Sequence, residues 1–134
     1  MVEYTEPTRG VIQNRAAAER ISDFSGLRWG KITPTDIDLF LDFQNKAFVV
    51  GEGKTEGLGL KYGQKLALTR LTDACKRVGS ALLLVWDVPR ELVGDIPTHS
   101  MVVRASYKNG RWDDEYAGVT VRHAIDMFRE RCGM

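Results

Sequence analysis

Four charged side chains recur in a spacing suited to divalent-metal chemistry on a phosphate ester. Asp36 and Asp38 are separated by one residue, and after thirteen intervening residues the pair Glu52 and Lys54 repeats that spacing. Side chains alternate along an extended chain, so each pair would lie on one face of a strand. Carboxylate oxygens are ligands that Mg²⁺ or Mn²⁺ prefers, and a nearby lysine can stabilise negative charge that develops on a phosphate.

The segments that carry these side chains are predicted to form one β-hairpin. Residues 36–44 (DIDLFLDFQ) alternate acidic and apolar residues, and residues 47–54 (AFVVGEGK) return as a second strand. If 44–46 form the loop, Asp38 lies opposite Glu52 and Phe40 lies beside Val50. Opposed side chains have Cβ atoms about 4.5–5.5 Å apart, where two carboxylates repel each other unless a cation lies between them.

Glycines flank Glu52 on both sides, as Gly51 and Gly53. Glycine weakens a strand, and close approach of another backbone or of a ligand is one reason to keep it there. The alternative interpretation is a solvated, charged hairpin without chemistry.

The remaining elements predict an α/β (α+β) fold with one mixed central sheet, in a single domain that spans residues 1–134. A C-terminal β-hairpin around Asn109-Gly110 and a last helix follow the central part. The full set is a helix at 10–23, the strands at 36–44 and 47–54, a helix at 64–78, a buried central strand at 81–88, strands at 101–107 and 111–112, and a helix at 119–132.

Gln64 opens the second helix on the same helical stripe as Leu68 and Leu71. Its side chain should therefore face the hairpin. The glycine-rich segment 55–63 before it favours a loop. Around this loop and its helix lie Lys61, Lys65 and Arg70, where we expect contacts with a phosphate backbone.

The composition limits the other function classes. The net charge of +1 does not by itself indicate a nucleic-acid binder, so such contacts must come from local placement. The sequence has no apolar run of about 18 residues and no signal-peptide pattern, which predicts no membrane span. Cys75 and Cys132 stand alone, as expected for reduced thiols in the cytoplasm.

The pattern Pro34-x-Asp36-x-Asp38, a hairpin, Glu52-x-Lys54 and a helix opening with Gly63-Gln64 resembles the PD-(D/E)XK nuclease superfamily, above all its small resolvase-like and phage-encoded members. The resemblance implies a restriction-endonuclease-like αβββαβ core over residues 10–88, with an extra strand at 28–32.

The same resemblance implies a role for each site residue. Asp38 and Glu52 would ligate Mg²⁺ or Mn²⁺ with the Gly53 carbonyl, and Lys54, Gln64 and Glu52 would form the catalytic set. In the superfamily the first aspartate usually follows proline directly. Here Thr35 intervenes before two aspartates, so Asp36 remains an alternative ligand.

The function so implied is hydrolysis of DNA phosphodiester bonds by a metal-dependent endonuclease of phage or mobile-element type. Its substrates would be DNA, branched DNA among them, and cleavage of both strands of a duplex would call for a symmetric homodimer. The alternative is a catalytically inactive nuclease-like fold that acts as a nucleic-acid or protein-binding module in phage–host conflict. The near-neutral charge favours this alternative.

Overall fold

The computed structural model of the chain describes residues 19–20 and 23–134. The chain divides into two units, Met1–Pro34 and Thr35–Met134. Most of the predicted first helix, 10–23, lies outside the described residues. The prediction of one domain over 1–134 stays a prediction.

The predicted hairpin is present with the predicted register. Strand β1 (Leu39–Phe43) pairs antiparallel with β2 (Ala47–Thr55), and Phe40 lies opposite Val50. The chain reverses through residues 44–46, where Gln44 and Asn45 adopt positive φ angles of 56° and 63°. Regular pairing begins at Leu39, so Asp36 and Asp38 precede β1 instead of lying within it, and the predicted start at residue 36 was wrong.

The other elements of the second unit also follow the predicted order. Helix α1 (Tyr62–Lys76) leads to β3 (Ser80–Val88), which pairs parallel with β2. A short 3-10 turn (Thr98–Ser100) precedes β4 (Val102–Lys108) and β5 (Arg111–Asp113), both antiparallel to their neighbours. Helix α2 (Val121–Arg131) ends the fold, and the Thr120 side chain accepts a hydrogen bond from the His123 amide at its N-terminus. The strands lie in chain order, β1-β2-β3-β4-β5, in one mixed sheet.

Each face of the sheet has its own apolar cluster. On one face, Val50 and Leu83 pack with Leu68 of α1 and with Tyr107. The opposite face packs against α2 through a larger cluster that includes Leu84, Trp86, Val103, Tyr116, Val121, Ala124, Ile125 and Phe128. β3 is buried on both sides at the centre of the sheet, as its continuous apolar run predicts.

Two further predictions were wrong. Residues 28–32 do not form a strand, because Trp29 and Ile32 make only an isolated bridge around Gly30, which has a φ of +65°. The described residues therefore supply ββαβ, and the complete αβββαβ core is not established. Val78 does not belong to the apolar stripe of α1, since it follows the end of that helix and is exposed. Among the described residues, no helix is long and apolar enough to cross a membrane.

Candidate functional site around Glu52

Glu52 lies near the C-terminal end of β2, on the face that α1 covers. Alternation along β2 places Val50, Glu52 and Lys54 on this face, and Val50 packs against Leu68 of α1. Only 5% of Glu52 is exposed to solvent. A carboxylate so deeply buried is costly unless partners compensate for its lost hydration.

The flanking glycines have a packing role that the sequence did not indicate. A Cβ at Gly51 or Gly53 would lie 2.4 Å from the indole of Trp86, which occupies the face opposite Glu52. Trp86 is the direct neighbour of Gly53 in β3. The approach of this side chain therefore explains both glycines, and the interpretation that they admit another backbone or a ligand was wrong. The indole packs against β2 on one face of the sheet, and Glu52 points toward α1 on the other face.

The two carboxylate oxygens of Glu52 have different surroundings. Oε1 accepts a hydrogen bond of 2.8 Å from Nε2 of Gln64, and Nζ of Lys54 lies 3.9 Å from the same oxygen. Oε2 is buried and has no hydrogen-bond partner. Gln64 therefore faces the hairpin, as its place on the helical stripe predicts.

Burial raises the pKa of the Glu52 carboxyl, and the negative charge of Asp38 raises it further. The hydrogen bond from Gln64, the positive charge of Lys54 and, to a smaller extent, the backbone amide of Asp38 act in the opposite direction. The carboxylate is thus only partly compensated by the chain itself.

Asp38 reaches the same strand from the end of β1. Its Oδ2 accepts a hydrogen bond of 2.8 Å from the amide of Gly53. This contact continues the β1–β2 register by one position, so Asp38 lies level with Glu52. Asp36 is exposed and lies three residues before β1. The geometry thus associates Asp38 rather than Asp36 with Glu52, while a role for the Gly53 carbonyl stays a prediction.

A second pair of charged residues beside Lys54 was not found from the sequence. The parallel register places Asp87 of β3 next to Lys54. Asp87 is paired instead with Arg104 of β4, whose Nε donates to its Oδ1 at 2.7 Å and whose Nη2 lies 2.6 Å from it. Because Arg104 neutralises Asp87, Lys54 can direct its charge toward Glu52.

Arg104 also holds the loop that joins Lys54 to Gln64. Its guanidinium donates to the carbonyl of Leu58, and Nη2 lies 3.4 Å from the carbonyl of Thr55. Arg104 occupies a β-bulge, since Val103 pairs with Trp86 and Ala105 pairs with Val85. Bulges turn a side chain away from the regular alternation and are frequent next to functional sites.

Two carboxylates are the ligands that this site offers to a divalent cation. The unpartnered Oε2 of Glu52 and the carboxylate of Asp38 are oxygen ligands of the kind that Mg²⁺ and Mn²⁺ prefer. A cation would also offset the repulsion that raises the pKa of Glu52. Within residues 19–20 and 23–134, no three His, Cys, Asp or Glu side chains form a group that could hold a metal. A cation held here would take two protein carboxylates, from Asp38 and Glu52, and would complete its shell with water or phosphate oxygens.

The three cations expected to contact nucleic acid are all exposed on the surface of α1 or just before it. Lys61 immediately precedes the helix, next to the glycine-rich loop. Nζ of Lys65 lies 5.2 Å from the centre of the Trp112 ring, so this side chain leans toward β5. Arg70 lies farther along α1. Their contacts with a phosphate backbone stay a prediction.

A scan against protein-family models, a search of curated proteins and a search of solved structures each found no match to this chain.

Proposed function

We propose that the protein is a metal-dependent endonuclease of the PD-(D/E)XK type that hydrolyses phosphodiester bonds in DNA. One observation carries the proposal. Glu52 is a buried carboxylate with one oxygen oriented by Gln64 and the other unpartnered, and Asp38 lies level with it at the end of β1. A protein gains nothing in stability from a buried, half-satisfied carboxylate, whereas a cation site needs one.

The arrangement of elements supports the same proposal. The β1–β2 hairpin, the crossover helix α1 and the parallel strand β3 follow the order of the last four elements of the αβββαβ core. Glu52 lies on the hairpin, Asp38 immediately precedes its first strand, and Gln64 lies on the helix that follows it. The first helix and one strand of that core have no counterpart among these four elements.

Each residue of the site has a distinct task in hydrolysis. Asp38 and Glu52 would hold Mg²⁺ or Mn²⁺, which when bound supplies Lewis-acid polarisation of the phosphate and acidifies water. Lys54 places a positive charge beside Glu52, where it can stabilise negative charge on the phosphate oxygens. Gln64 fixes the orientation of Glu52 through Oε1 and leaves Oε2 free to bind.

The proposal is tested by measuring DNA cleavage and metal binding on the same variants. Wild-type protein is incubated with linear, circular and branched DNA, with Mn²⁺, with Mg²⁺ and with a chelator, and Mn²⁺ binding is measured by calorimetry. We expect metal-dependent cleavage, and we expect Asp38→Asn with Glu52→Gln to lose both cleavage and Mn²⁺ binding.

Asp42→Asn is the matched control, because Asp42 belongs to the same hairpin but accepts a hydrogen bond from the Asn45 amide at its turn. It should retain both activities. Asp36→Asn distinguishes the alternative ligand. Equal Mn²⁺ binding by wild type and by the Asp38→Asn, Glu52→Gln double variant would remove the basis of the site.

A second candidate is the inactive nuclease-like fold that binds nucleic acid or protein. The observation in its favour is that the described residues supply two carboxylates here and not three. Wild type that binds DNA but cuts none of the substrates with Mn²⁺ present would favour this candidate.

A further inference from the structure

A pocket of about 150 Å³ lies at the end of the sheet away from Glu52, where β3 begins. It opens between the last turns of α1 and α2, the start of β3 and the turn that joins β4 to β5. The volume has room for about five water molecules or for one small group of that size. Its polar lining, called the basic pocket below, consists of Lys76, Ser80, Lys108, Asn109 and Arg131.

Two cations of the basic pocket are held in place by Glu115 and Tyr116. Nζ of Lys108 lies 3.1 Å from Oε2 of Glu115, and Arg131 pairs with Oε1 of the same carboxylate. The Lys108 ammonium also lies 5.7 Å, and Cζ of Arg131 5.2 Å, from the centre of the buried Tyr116 ring. Because these contacts already restrict both side chains, binding a ligand costs them less conformational entropy than it would cost free side chains.

The positive charge of the basic pocket is only partly neutralised. Lys108 and Arg131 share the single carboxylate of Glu115. Lys76 forms no ion pair with any residue of the described part of the chain. Three cations against one carboxylate leave an excess of two positive charges, and no acidic side chain of the described residues lines the pocket. The pocket therefore favours an anion.

Two neutral donors of the basic pocket also lack a partner. Neither the Ser80 hydroxyl nor the Asn109 side-chain amide forms a hydrogen bond within residues 19–20 and 23–134. Both groups can donate to an anionic oxygen. Basic residues at helix C-termini complement the helix dipole, which accounts for Lys76 and Arg131 without any ligand. It does not account for Lys108 on β4, for the two unpartnered donors or for the cavity that they line.

From this combination we propose that the basic pocket binds a phosphate group, carried by a small phosphate ester or by a nucleic-acid backbone. A phosphate group, with about five non-hydrogen atoms, fits a volume that holds about five water molecules. The cations form charge-assisted hydrogen bonds with its oxygens, and Ser80 and Asn109 donate to the oxygens that remain. The inference does not depend on the proposed function, because no residue of the Glu52 site lines this pocket.

Binding is tested by NMR titration of the full ¹⁵N-labelled chain, in EDTA and at constant ionic strength. The probes are inorganic phosphate, adenosine monophosphate and a short single-stranded oligonucleotide, with chloride as the reference anion. We expect saturable shifts of the Ser80, Asn109 and Arg131 amide signals with phosphate probes and none with chloride. Saturation by phosphate and by the monophosphate indicates a small ester, whereas saturation by the oligonucleotide alone indicates a nucleic-acid backbone.

Variants of Lys76 test whether the pocket itself is responsible. Lys76→Ala should weaken binding at least about fivefold, because it removes a charged partner of the phosphate oxygens. Lys76→Arg keeps the charge and should retain most of the affinity. Arg77→Ala is the matched control, since Arg77 is the next residue and is also exposed but does not line the pocket. It should change affinity less than about twofold, because solvent screens a charge outside the pocket.

Melting temperatures of the three variants should match wild type, because Lys76 and Arg77 are exposed. The proposal is overturned if no phosphate probe shifts the Ser80 and Asn109 signals, or if chloride shifts them equally. It is also overturned if Lys76→Ala binds like wild type, or if Arg77→Ala weakens binding as much as Lys76→Ala does. The last result would mean that the net charge of the protein, and not the pocket, attracts the anion.

Discussion

The two ends of the sheet both carry clustered charges, yet they satisfy them in different ways. At the end with Glu52, a carboxylate is buried and one of its oxygens has no partner. At the other end, Glu115 lies between Lys108, at 3.1 Å, and Arg131. These three side chains are partly exposed, so water completes what the ion pairs leave open.

The difference separates a structural charge cluster from a candidate site. Exposed ion pairs contribute little to stability and cost little when broken. A buried carboxylate that the chain compensates only in part is costly, and it persists where another group is to be bound. The two ends differ in whether each charged group has partners or water around it, more than in how many charged groups they carry.

Removing the positive charge of Lys54, at the end of the sheet with Glu52, should have the largest effect on cleavage. Lys54→Ala should lower the rate of DNA cleavage by a factor of about 10²–10³, since it removes a preorganised charge beside the reacting phosphate. Mn²⁺ affinity should stay nearly intact, because an ammonium group does not ligate metal. Lys46→Ala, at the turn of the same hairpin, is the control and should cut like wild type. Single-turnover cleavage with matched calorimetry tests this, and full activity of Lys54→Ala would contradict it.

Breaking the Asp87–Arg104 pair should have the next largest effect. Arg104→Met keeps much of the side-chain length but frees Asp87 to attract Lys54, and it releases the loop from its hydrogen bonds at Leu58 and Thr55. We expect cleavage to fall about tenfold and the free energy of unfolding to fall by about 1–2 kcal/mol.

The double variant Asp87→Asn with Arg104→Met separates the two effects. It should recover part of the cleavage rate, since no charge then competes for Lys54, but none of the stability. Equal cleavage by both variants would show that Arg104 acts only by holding the loop.

The cost of the buried carboxylate should appear in the pH dependence of stability. A raised pKa means that the folded state holds the Glu52 proton more tightly than the unfolded chain does. Stability from this group is therefore complete below the ordinary pKa and is lost as the pH rises through the raised value. Glu52→Gln removes that loss, so without metal its free energy of unfolding relative to wild type should increase with pH.

Urea denaturation at about pH 4 and about pH 8 measures this change, because the ordinary pKa of Glu lies near the lower value. Added Mn²⁺ should stabilise wild type and not the variant. If Glu52→Gln differs from wild type in free energy of unfolding by the same amount at both pH values, the charge of Glu52 carries no cost in the fold.

The smallest effect should come from the exposed end. Glu115→Gln breaks the pairs with Lys108 and Arg131, yet it should change the free energy of unfolding by no more than about 0.5 kcal/mol. Cleavage should be unchanged. If Glu115→Gln lowered the free energy of unfolding as much as Arg104→Met, the charges at the two ends of the sheet would not differ in their contribution to stability.

The local features of the hairpin were set by the sequence alone. The alternation in β1, the return strand and the intervening loop predicted the register that sets Phe40 opposite Val50, since a shift by one residue would turn every apolar side chain to the other face. The helical stripe that begins at Gln64 likewise predicted that its side chain faces the hairpin, where the structure shows it donating to Glu52. In each case the residues are close in the chain, and the regular geometry of one strand or helix fixes their direction.

What surrounds the hairpin was decided only in the tertiary structure. The parallel pairing of β2 with β3 sets Trp86 against the glycines and Asp87 beside Lys54, across a connection that contains a whole helix. The bulge at Arg104 then turns that guanidinium to Asp87 and to the loop. Neither follows from the periodicity of one segment, because the packing of several strands and helices selects among pairings that each strand alone would allow.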